Sequence, residues 1–312
     1  MKRRPPRSTL DRSSAASDVY KRQTLDSLSG KRAVNDILGL IGSNGSEGFQ
    51  SDIKLKGLLN GNLTDPDFSI TASANNLKYG NSNFGSLLSV FKFENNSLNT
   101  DIRIVDSTFN YDSPSLLVTG FIPLVLTPEI DSLEKSERFI DLSVEADEFD
   151  LSSLKDVLPY LEFQNGKLET EMILSGTLTS PIAIGYFSVY DARFKVTNNN
   201  LDYDFNTKVW IDDEEITIES IELKNVFGTK NGGAIVGSGF LRLDEFKPDS
   251  TFIKLSGDLK VLDKISKSAS PIVYGDLALQ TRGEIVYSAS RDNSYLTLPI
   301  NVTVADLSLI HI

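Results

Sequence analysis

The sequence predicts an all-β fold: an elongated antiparallel sheet built from repeated strand–turn units, with a few short helices. Three observations support this fold class. Apolar and polar residues alternate over many short segments, clusters of asparagine or glycine separate those segments, and one residue pattern recurs along the chain. Alternation with a period of two is typical of strands with one buried face, so we expect a sheet whose two faces differ in polarity.

The alternation is clearest in the segments 168–174, 205–211, 216–218 and 296–304, where an apolar residue or threonine occupies every second position. Residues that favour turns separate such segments. The turn signals are Asn75–Asn76, Asn95–Asn96, Asn198–Asn200 and Gly232–Gly233. The acidic run Asp212–Glu215 lies between two alternating segments, so we interpret it as a solvated hairpin turn. It lacks the glycine and the ligand spacing of a calcium loop.

Three short segments favour helix, and they mark an internal repeat: Lys31–Ile41, Leu151–Leu161 and Val261–Lys267. A glycine, an alternating strand and a second glycine follow each of them. The first glycines are Gly48, Gly166 and Gly275, which lie 118 and 109 residues apart. Units of this kind stack and extend rather than close into a globule. The alternative is a chance similarity of glycine-rich hairpins.

Both ends of the chain match translated sequencing adaptors. Residues 13–23 back-translate in frame to a transposase adaptor, and residues 307–312 to the reverse complement of the same transposon end. We therefore expect 1–23 and 307–312 to be artefacts and exclude them from fold reasoning. The expected organisation is an internal fragment with repeat units at 24–149, 150–260 and 261–306.

The segment 24–306 is strongly acidic. The chain has 31 basic and 43 acidic residues, of which 1–23 hold seven and two, so 24–306 carries a net charge of −17. Binding to nucleic acid depends on Lys and Arg, so we expect no nucleic-acid partner. The segment also has no Cys and no His, because the one histidine is His311. Thiol nucleophiles, Ser–His dyads and imidazole metal ligands are thereby excluded, and we expect no catalytic residue, metal or cofactor.

Other candidate sites are weak. Trp210, the one tryptophan, is expected to pack in the sheet rather than stack on a sugar. Gly232–Gly237 lacks the Lys-Ser/Thr of a phosphate loop, so a hairpin turn is the better interpretation. Carboxylate pairs such as Asp147 and Asp150 are expected by chance in so acidic a chain. The most apolar run, 116–126, is too short for a bilayer span, which needs about 20 residues.

A resemblance to a known family rests on residues 150–260. The phrases Gly166-Lys167-Leu168, Ser175–Pro181 (SGTLTSP) and Gly237–Phe240 (GSGF), with the strands between them, resemble the TamB family of the AsmA-like superfamily. Its members are the inner-membrane-anchored subunits of the translocation and assembly module. Residues 46–125 resemble the family more weakly.

The resemblance implies both a fold and a function. It implies a sheet curled into a β-taco, or half-pipe, with an apolar concave face, in a periplasmic protein anchored in the inner membrane. The implied partners are phospholipid acyl chains and an outer-membrane barrel protein of the assembly module, with membrane contact through parts outside this fragment. The implied function is non-enzymatic: phospholipid transfer between membranes, support of outer-membrane protein assembly and secretion, or both.

Ten residues are the candidates for lining such a groove. They occupy the apolar positions of alternating segments, and a covering helix or second sheet would instead make them core. The candidates are Leu168, Met172, Leu174, Val209, Ile211, Ile216, Ile218, Leu296, Leu298 and Ile300. Two other functions stay open: a repetitive β-rich surface protein or adhesin, and a carbohydrate-active enzyme with a β-helix.

Overall fold

The chain forms one large antiparallel sheet that is curled and contains very little helix. The computed structural model describes residues 22–29, 53–61, 66–105, 112–124, 138–155, 157–158, 160–177, 179–244, 247–291 and 293–309. Every ladder between the described strands is antiparallel. The predicted fold class, a curled all-β sheet, is confirmed. The β-helix expected for the alternative of a carbohydrate-active enzyme does not occur in the described strands.

The first half of the sheet is a meander in which each main strand pairs with the next. Its strands are β1 (Arg22–Ser29), β2 (Ile53–Gly61), β3 (Pro66–Ala74), β6 (Ser86–Glu94), β7 (Ser97–Val105), β8 (Leu116–Pro123) and β9 (Asp141–Asp150). The short strands β4 (Lys78–Tyr79) and β5 (Ser82–Asn83) form a separate hairpin between β3 and β6.

The meander continues through six long strands. These are β10 (Leu161–Gly176), β11 (Pro181–Val196), β12 (Leu201–Asp212), β13 (Glu215–Asn225), β14 (Ala234–Asp244) and β15 (Lys247–Leu262). β9 pairs with β10, so the ladder crosses the predicted unit boundary at residue 150 without a break. The two-residue turn Asp213–Glu214 connects β12 to β13, which confirms the hairpin turn predicted for the acidic run.

The sheet divides at β15. Its first half, Ser250–Leu255, pairs with β17 (Ile285–Ser290), which pairs with β18 (Ser294–Thr297). Its second half, Asp258–Leu262, pairs with β16 (Val273–Thr281), which pairs with β19 (Ile300–Leu309). Gly257, at φ +136°, lies between the two halves, and a Cβ there would meet the carbonyl oxygen of Ala234 at 2.0 Å. Only glycine fits at this position, because its φ angle lies in the left-handed region and the Ala234 carbonyl leaves no room for a Cβ atom.

Two of the three predicted helices occur, each as a short 3₁₀ helix. They cover Leu151–Leu154 and Lys264–Ser268 and are shorter than predicted. Leu161 and Val261, which were predicted to lie at helix ends, belong instead to the strands β10 and β15. Asp150 and Asp263 cap them by accepting hydrogen bonds from backbone N–H groups two residues on. Such capping satisfies N–H groups that a helix start leaves unpaired. The candidate helix at 31–41 lies outside the described residues.

The asparagine turn signals are confirmed. Asn76, Asn95, Asn96 and Asn200 all have left-handed backbone angles, with φ between 52° and 57°. Asparagine tolerates this conformation better than other residues with a side chain, which is why it marks the turns between strands. The first glycines of two repeat units are also alike, since Gly166 and Gly275 lie inside strands at φ +131° and +122°.

A seam of side-chain hydrogen bonds joins β15 to the earlier strands. β14 begins at Ala234, which pairs with Lys224 of β13. The next β13 residue, Asn225, has no β14 partner, so no β14 residue separates it from the second half of β15. The Asn225 side-chain amide fills the gap: its Oδ1 accepts from the Lys260 N–H at 2.9 Å, and its Nδ2 donates to the Lys260 carbonyl at 3.0 Å. Tyr203 Oη of β12 donates to the same carbonyl at 3.2 Å. The curl of the sheet is therefore fixed at this end by contacts between strands that are not neighbours.

The unit boundaries and the adaptor assignment stay predictions. Residue 150 is the last residue of β9 and residue 261 lies within β15, and a 3₁₀ helix follows each of these strands. Of the residues assigned to adaptors, Arg22 and Gln23 belong to β1 and Leu307–Leu309 belong to β19.

Candidate functional site

The candidate site is one face of the sheet, here called the inner face. The register places cross-strand partners on the same face. Following partners from β2 to β15 gives one row: Leu55, Ala72, Ser89, Ile102, Val118, Val144, Met172, Gly185, Ile211, Ile216, Leu241 and Thr251. A second row, from β3 to β18, is Ala74, Leu87, Ile104, Leu116, Ala146, Thr170, Phe187, Val209, Ile218, Gly239, Ile253, Tyr287 and Leu296. Neither row contains a charged residue.

Eight of the ten predicted groove residues lie on the inner face. Leu168, Met172, Leu174, Val209, Ile211, Ile216 and Ile218 come from β10, β12 and β13, and Leu296 reaches the same row through β18. Six of the first seven are half-buried, and Val209 is buried. Leu298 lies between β18 and β19, and Ile300 begins β19 in the other branch of the sheet, so the structure does not bring these two to the rows above.

One end of the inner face is covered. Phe163, Phe194, Leu201 and Tyr203, here called the covered end, are at most 8% exposed and belong to one core cluster. Leu151 of the first 3₁₀ helix and Leu259 of β15 belong to the same cluster, and the Phe163 and Phe194 rings meet edge to face at 5.6 Å. Aromatic pairs prefer this geometry to face-to-face contact. The sequence predicted the alternation here but not what covers it.

The middle stretch of the inner face lies outside that cluster. It comprises Met172, Ile211, Ile216 and Ile218, which are all half-buried. The hydroxyl groups of two neighbouring threonines donate hydrogen bonds to main-chain carbonyls. Thr170 Oγ1 donates to the Tyr186 carbonyl at 2.6 Å, and Thr207 Oγ1 donates to the Ser220 carbonyl at 2.8 Å. A hydroxyl bonded in this way offers less of its polarity to a ligand. The middle stretch therefore presents hydrocarbon.

Lys260, near the covered end, is a buried charged residue that was not predicted from the sequence. Its side chain is 1% exposed, and its ammonium group contacts Asp263 and lies 2.8 Å from Asp276 Oδ1. Burial acts to lower the pKa of Lys260, but hydrogen bonds to the two carboxylates outweigh it and the pKa is raised. Burial likewise opposes the effect of Lys260 on Asp263, whose pKa is nonetheless lowered. The sequence shows only that Lys260 lies between the apolar residues Leu259 and Val261, with Asp263 three residues further on.

The opposite, outer face carries charged and aromatic side chains. Trp210 lies here, 43% exposed, with its ring 5.4 Å from that of Tyr186 and its Nε1 donating to Glu219 at 2.5 Å. Trp210 is therefore a residue of the sheet, as expected, but its ring packs against Tyr186 on the exposed surface and is not buried in a core. The pKa of Glu219 is lowered, chiefly by the hydrogen bond from Trp210.

A cluster of ion pairs joins the ends of β13, β14, β15 and β17. Arg242 Nε bonds Glu215 at 2.9 Å, and Arg291 pairs with Asp244 and with Asp249, the latter at 2.8 Å. Both arginines are thus engaged by carboxylates. Over the part of the chain that the structure describes, no group of His, Cys, Asp or Glu has an arrangement that could hold a metal ion.

Comparisons with protein-family models, curated proteins and solved structures find no match to this chain. In the described residues, no helix is long and apolar enough to cross a membrane.

Proposed function

We propose that this chain is a non-enzymatic structural module of a TamB-like envelope protein, and that its inner face is a groove for phospholipid acyl chains. The proposed setting is the periplasm, in a protein anchored in the inner membrane, where the groove serves phospholipid transfer between membranes, outer-membrane protein assembly with a barrel partner, or both. The observation that carries the proposal is the pair of uncharged rows that crosses the sheet, one from β2 to β15 and the other from β3 to β18.

The direction of these rows is what suits an acyl chain. Neighbouring strands lie about 4.8 Å apart, so a row that crosses many strands runs along the length of the sheet. Keeping hydrocarbon out of water is worth about 0.8 kcal/mol per CH₂ group. A lipid that moves between membranes therefore needs apolar contact at every step, and the two rows offer it from one strand to the next.

The hydroxyl groups support the same ligand. Thr170 and Thr207 lie on the inner face, and each donates its proton to a main-chain carbonyl of the neighbouring strand. A groove that recognised sugars or peptides would need polar groups with free hydrogen-bonding capacity. The charged outer face, with a net charge of −17 on residues 24–306, would keep the exposed side in water.

Binding of a fluorescently labelled phospholipid to the full chain tests the proposal. We expect saturable binding by the wild-type chain and a loss of at least about tenfold in affinity in the Ile218→Glu variant, because a charge would then lie in the path of the acyl chain. Val236→Glu is the matched control, since Val236 lies on the adjacent strand β14, faces outward and is 48% exposed. It adds the same charge without touching the groove.

Two results would count against the proposal. One is a folded wild-type chain that binds no phospholipid. The other is equal binding by the Ile218→Glu and Val236→Glu variants, which would place the lipid elsewhere on the molecule.

A further inference from the structure

The outer face carries an apolar surface that the lipid groove does not use. Ile173, Ile184, Tyr186 and Trp210, here called the outer aromatic patch, lie on the neighbouring strands β10, β11 and β12. Ile173 pairs with Ile184, and Tyr186 pairs with Trp210. Ile173, Ile184 and Trp210 are 53%, 50% and 43% exposed. Large apolar side chains that meet on a surface in this way are typical of an interaction site.

Carboxylates border the outer aromatic patch on the β9 side. Glu171 lies between Glu145 of β9 and Tyr186 of β11 as a direct cross-strand partner of both, and Glu169 is two residues away on the same face. Like charges directly opposite one another in a sheet destabilise it. The pair Glu145–Glu171 therefore costs free energy in the isolated chain, and a bound cation would relieve that cost.

Lys208 and Lys167 lie on this face and form no ion pair with these carboxylates. Lys208 lies over the Trp210 ring at 4.7 Å and pairs with Glu219 at 3.4 Å. Lys167 donates to the Glu148 carbonyl at 3.2 Å. Burial and the negative charges of Glu171, Glu169 and Asp147 raise the pKa of Tyr186, which is consistent with an excess of negative charge here.

We propose that the outer aromatic patch docks a basic, apolar protein segment, in which Lys or Arg side chains alternate with large apolar ones. The apolar side chains would cover Ile173 and Ile184, and the cations would lie between the Tyr186 and Trp210 rings and the glutamates Glu145, Glu169 and Glu171. Tryptophan and tyrosine are enriched where such contacts carry most of the binding energy, and their ring faces attract cations. An anionic lipid surface would be repelled by the same carboxylates. This surface is on the opposite face from the proposed groove, so the inference does not depend on lipid binding.

Trp210 reports on the site directly, because it is the one tryptophan of the chain. The probe is a synthetic peptide of alternating lysine and leucine, added to the full chain while tryptophan emission is recorded. We expect a saturable blue shift, because the bound peptide excludes water from Trp210, and an affinity that falls as salt is raised. Peptides in which glutamate replaces lysine, or serine replaces leucine, should bind at least about tenfold more weakly, since each lacks one of the two complementary features.

The decisive variant reverses two charges at the patch and leaves the reporter in place. Glu169→Lys with Glu171→Lys should weaken binding of the lysine–leucine peptide at least about tenfold. The matched control is Asp67→Lys with Glu94→Lys, an equal charge change at exposed positions on β3 and β6. β6 and β10 are separated by β7, β8 and β9, so the control lies about 19 Å away, beyond the screening length of about 8 Å at physiological salt.

Circular dichroism of each variant verifies the sheet, and the neutral Glu169→Gln with Glu171→Gln variant replaces the reversal variant if that one fails to fold. The proposal is overturned if tryptophan emission does not respond to the lysine–leucine peptide, or if the glutamate–leucine peptide binds equally well. Equal affinities of the patch and control variants would overturn it too.

Discussion

The covered end and the middle stretch of the inner face have the same sequence pattern and different surroundings. At the covered end, Phe194 and Tyr203 are 8% and 3% exposed, beneath the first 3₁₀ helix and the second half of β15. In the middle stretch, Met172 and Ile218 alternate with polar residues in the same way and stay half-buried. Alternation thus decides which face a side chain is on, whereas distant elements decide whether that face is a core. One face can be core at one end and proposed groove further along.

The largest expected effect is at the covered end. Phe194→Ala should lower the free energy of unfolding by about 3–5 kcal/mol, because it removes a buried ring that contacts Phe163, Tyr203 and Phe205. Chemical denaturation of the full chain measures this loss. Ile218→Ala, in the middle stretch, is the comparison and should cost clearly less, since part of its side chain is already in water. Equal losses would mean that the two regions are one core.

A smaller effect is expected from the buried cation. Lys260→Met should lower the free energy of unfolding by about 1–3 kcal/mol, because it leaves Asp263 and Asp276 without their partner. The pH dependence identifies the cause. The lowered pKa of Asp263 stabilises the fold above the unfolded-state pKa, and this stabilisation is lost as pH falls below about 4.

The raised pKa of Lys260 acts at the other end of the pH scale. Its stabilisation is complete below the unfolded-state pKa of about 10.4 and is lost as pH rises through the higher folded-state value. Denaturation curves at acid, neutral and alkaline pH should therefore converge for wild type and Lys260→Met at both extremes. A difference that is independent of pH would show that Lys260 acts through packing alone.

The smallest effect on stability is expected in the middle stretch. Met172→Glu or Ile218→Glu should lower the free energy of unfolding by about 1 kcal/mol or less if the face is open, because the new carboxylate stays hydrated. Thermal melts of the two variants check this. A packed core would instead unfold around an unpaired charge, and that outcome would remove the distinction between the covered end and the middle stretch.

The fold class could be predicted from local sequence patterns, and the structure has strands and turns where those patterns predicted them. Asparagine turns and period-two alternation determined the strands, and the acidic run became the turn between β12 and β13. The helices came out shorter because the apolar residues at their ends, Leu161 and Val261, continue into strands. No sequence pattern marked Asn225 and Lys260 as partners, because they lie 35 residues apart and meet only when the sheet curls. The carboxylate partners of Lys260 are closer in sequence, at three and sixteen residues, but aspartates are common in so acidic a chain and did not single it out. Leu298 and Ile300 were predicted on the same face as the other candidates but lie outside the two rows, because the sheet divides at β15. Gly257 is the one sequence feature that marks this division.

The Asn225 amide also determines how unfolding spreads through the molecule. Within a ladder, each strand is stabilised by a series of main-chain bonds, so its residues open together. Between β13 and the second half of β15, that series is replaced by one side-chain amide, assisted by Tyr203 and Asn199. The seam is therefore a boundary between cooperative units: the branch formed by the second half of β15, β16 and β19 can open locally while the meander from β9 to β14 keeps its bonds.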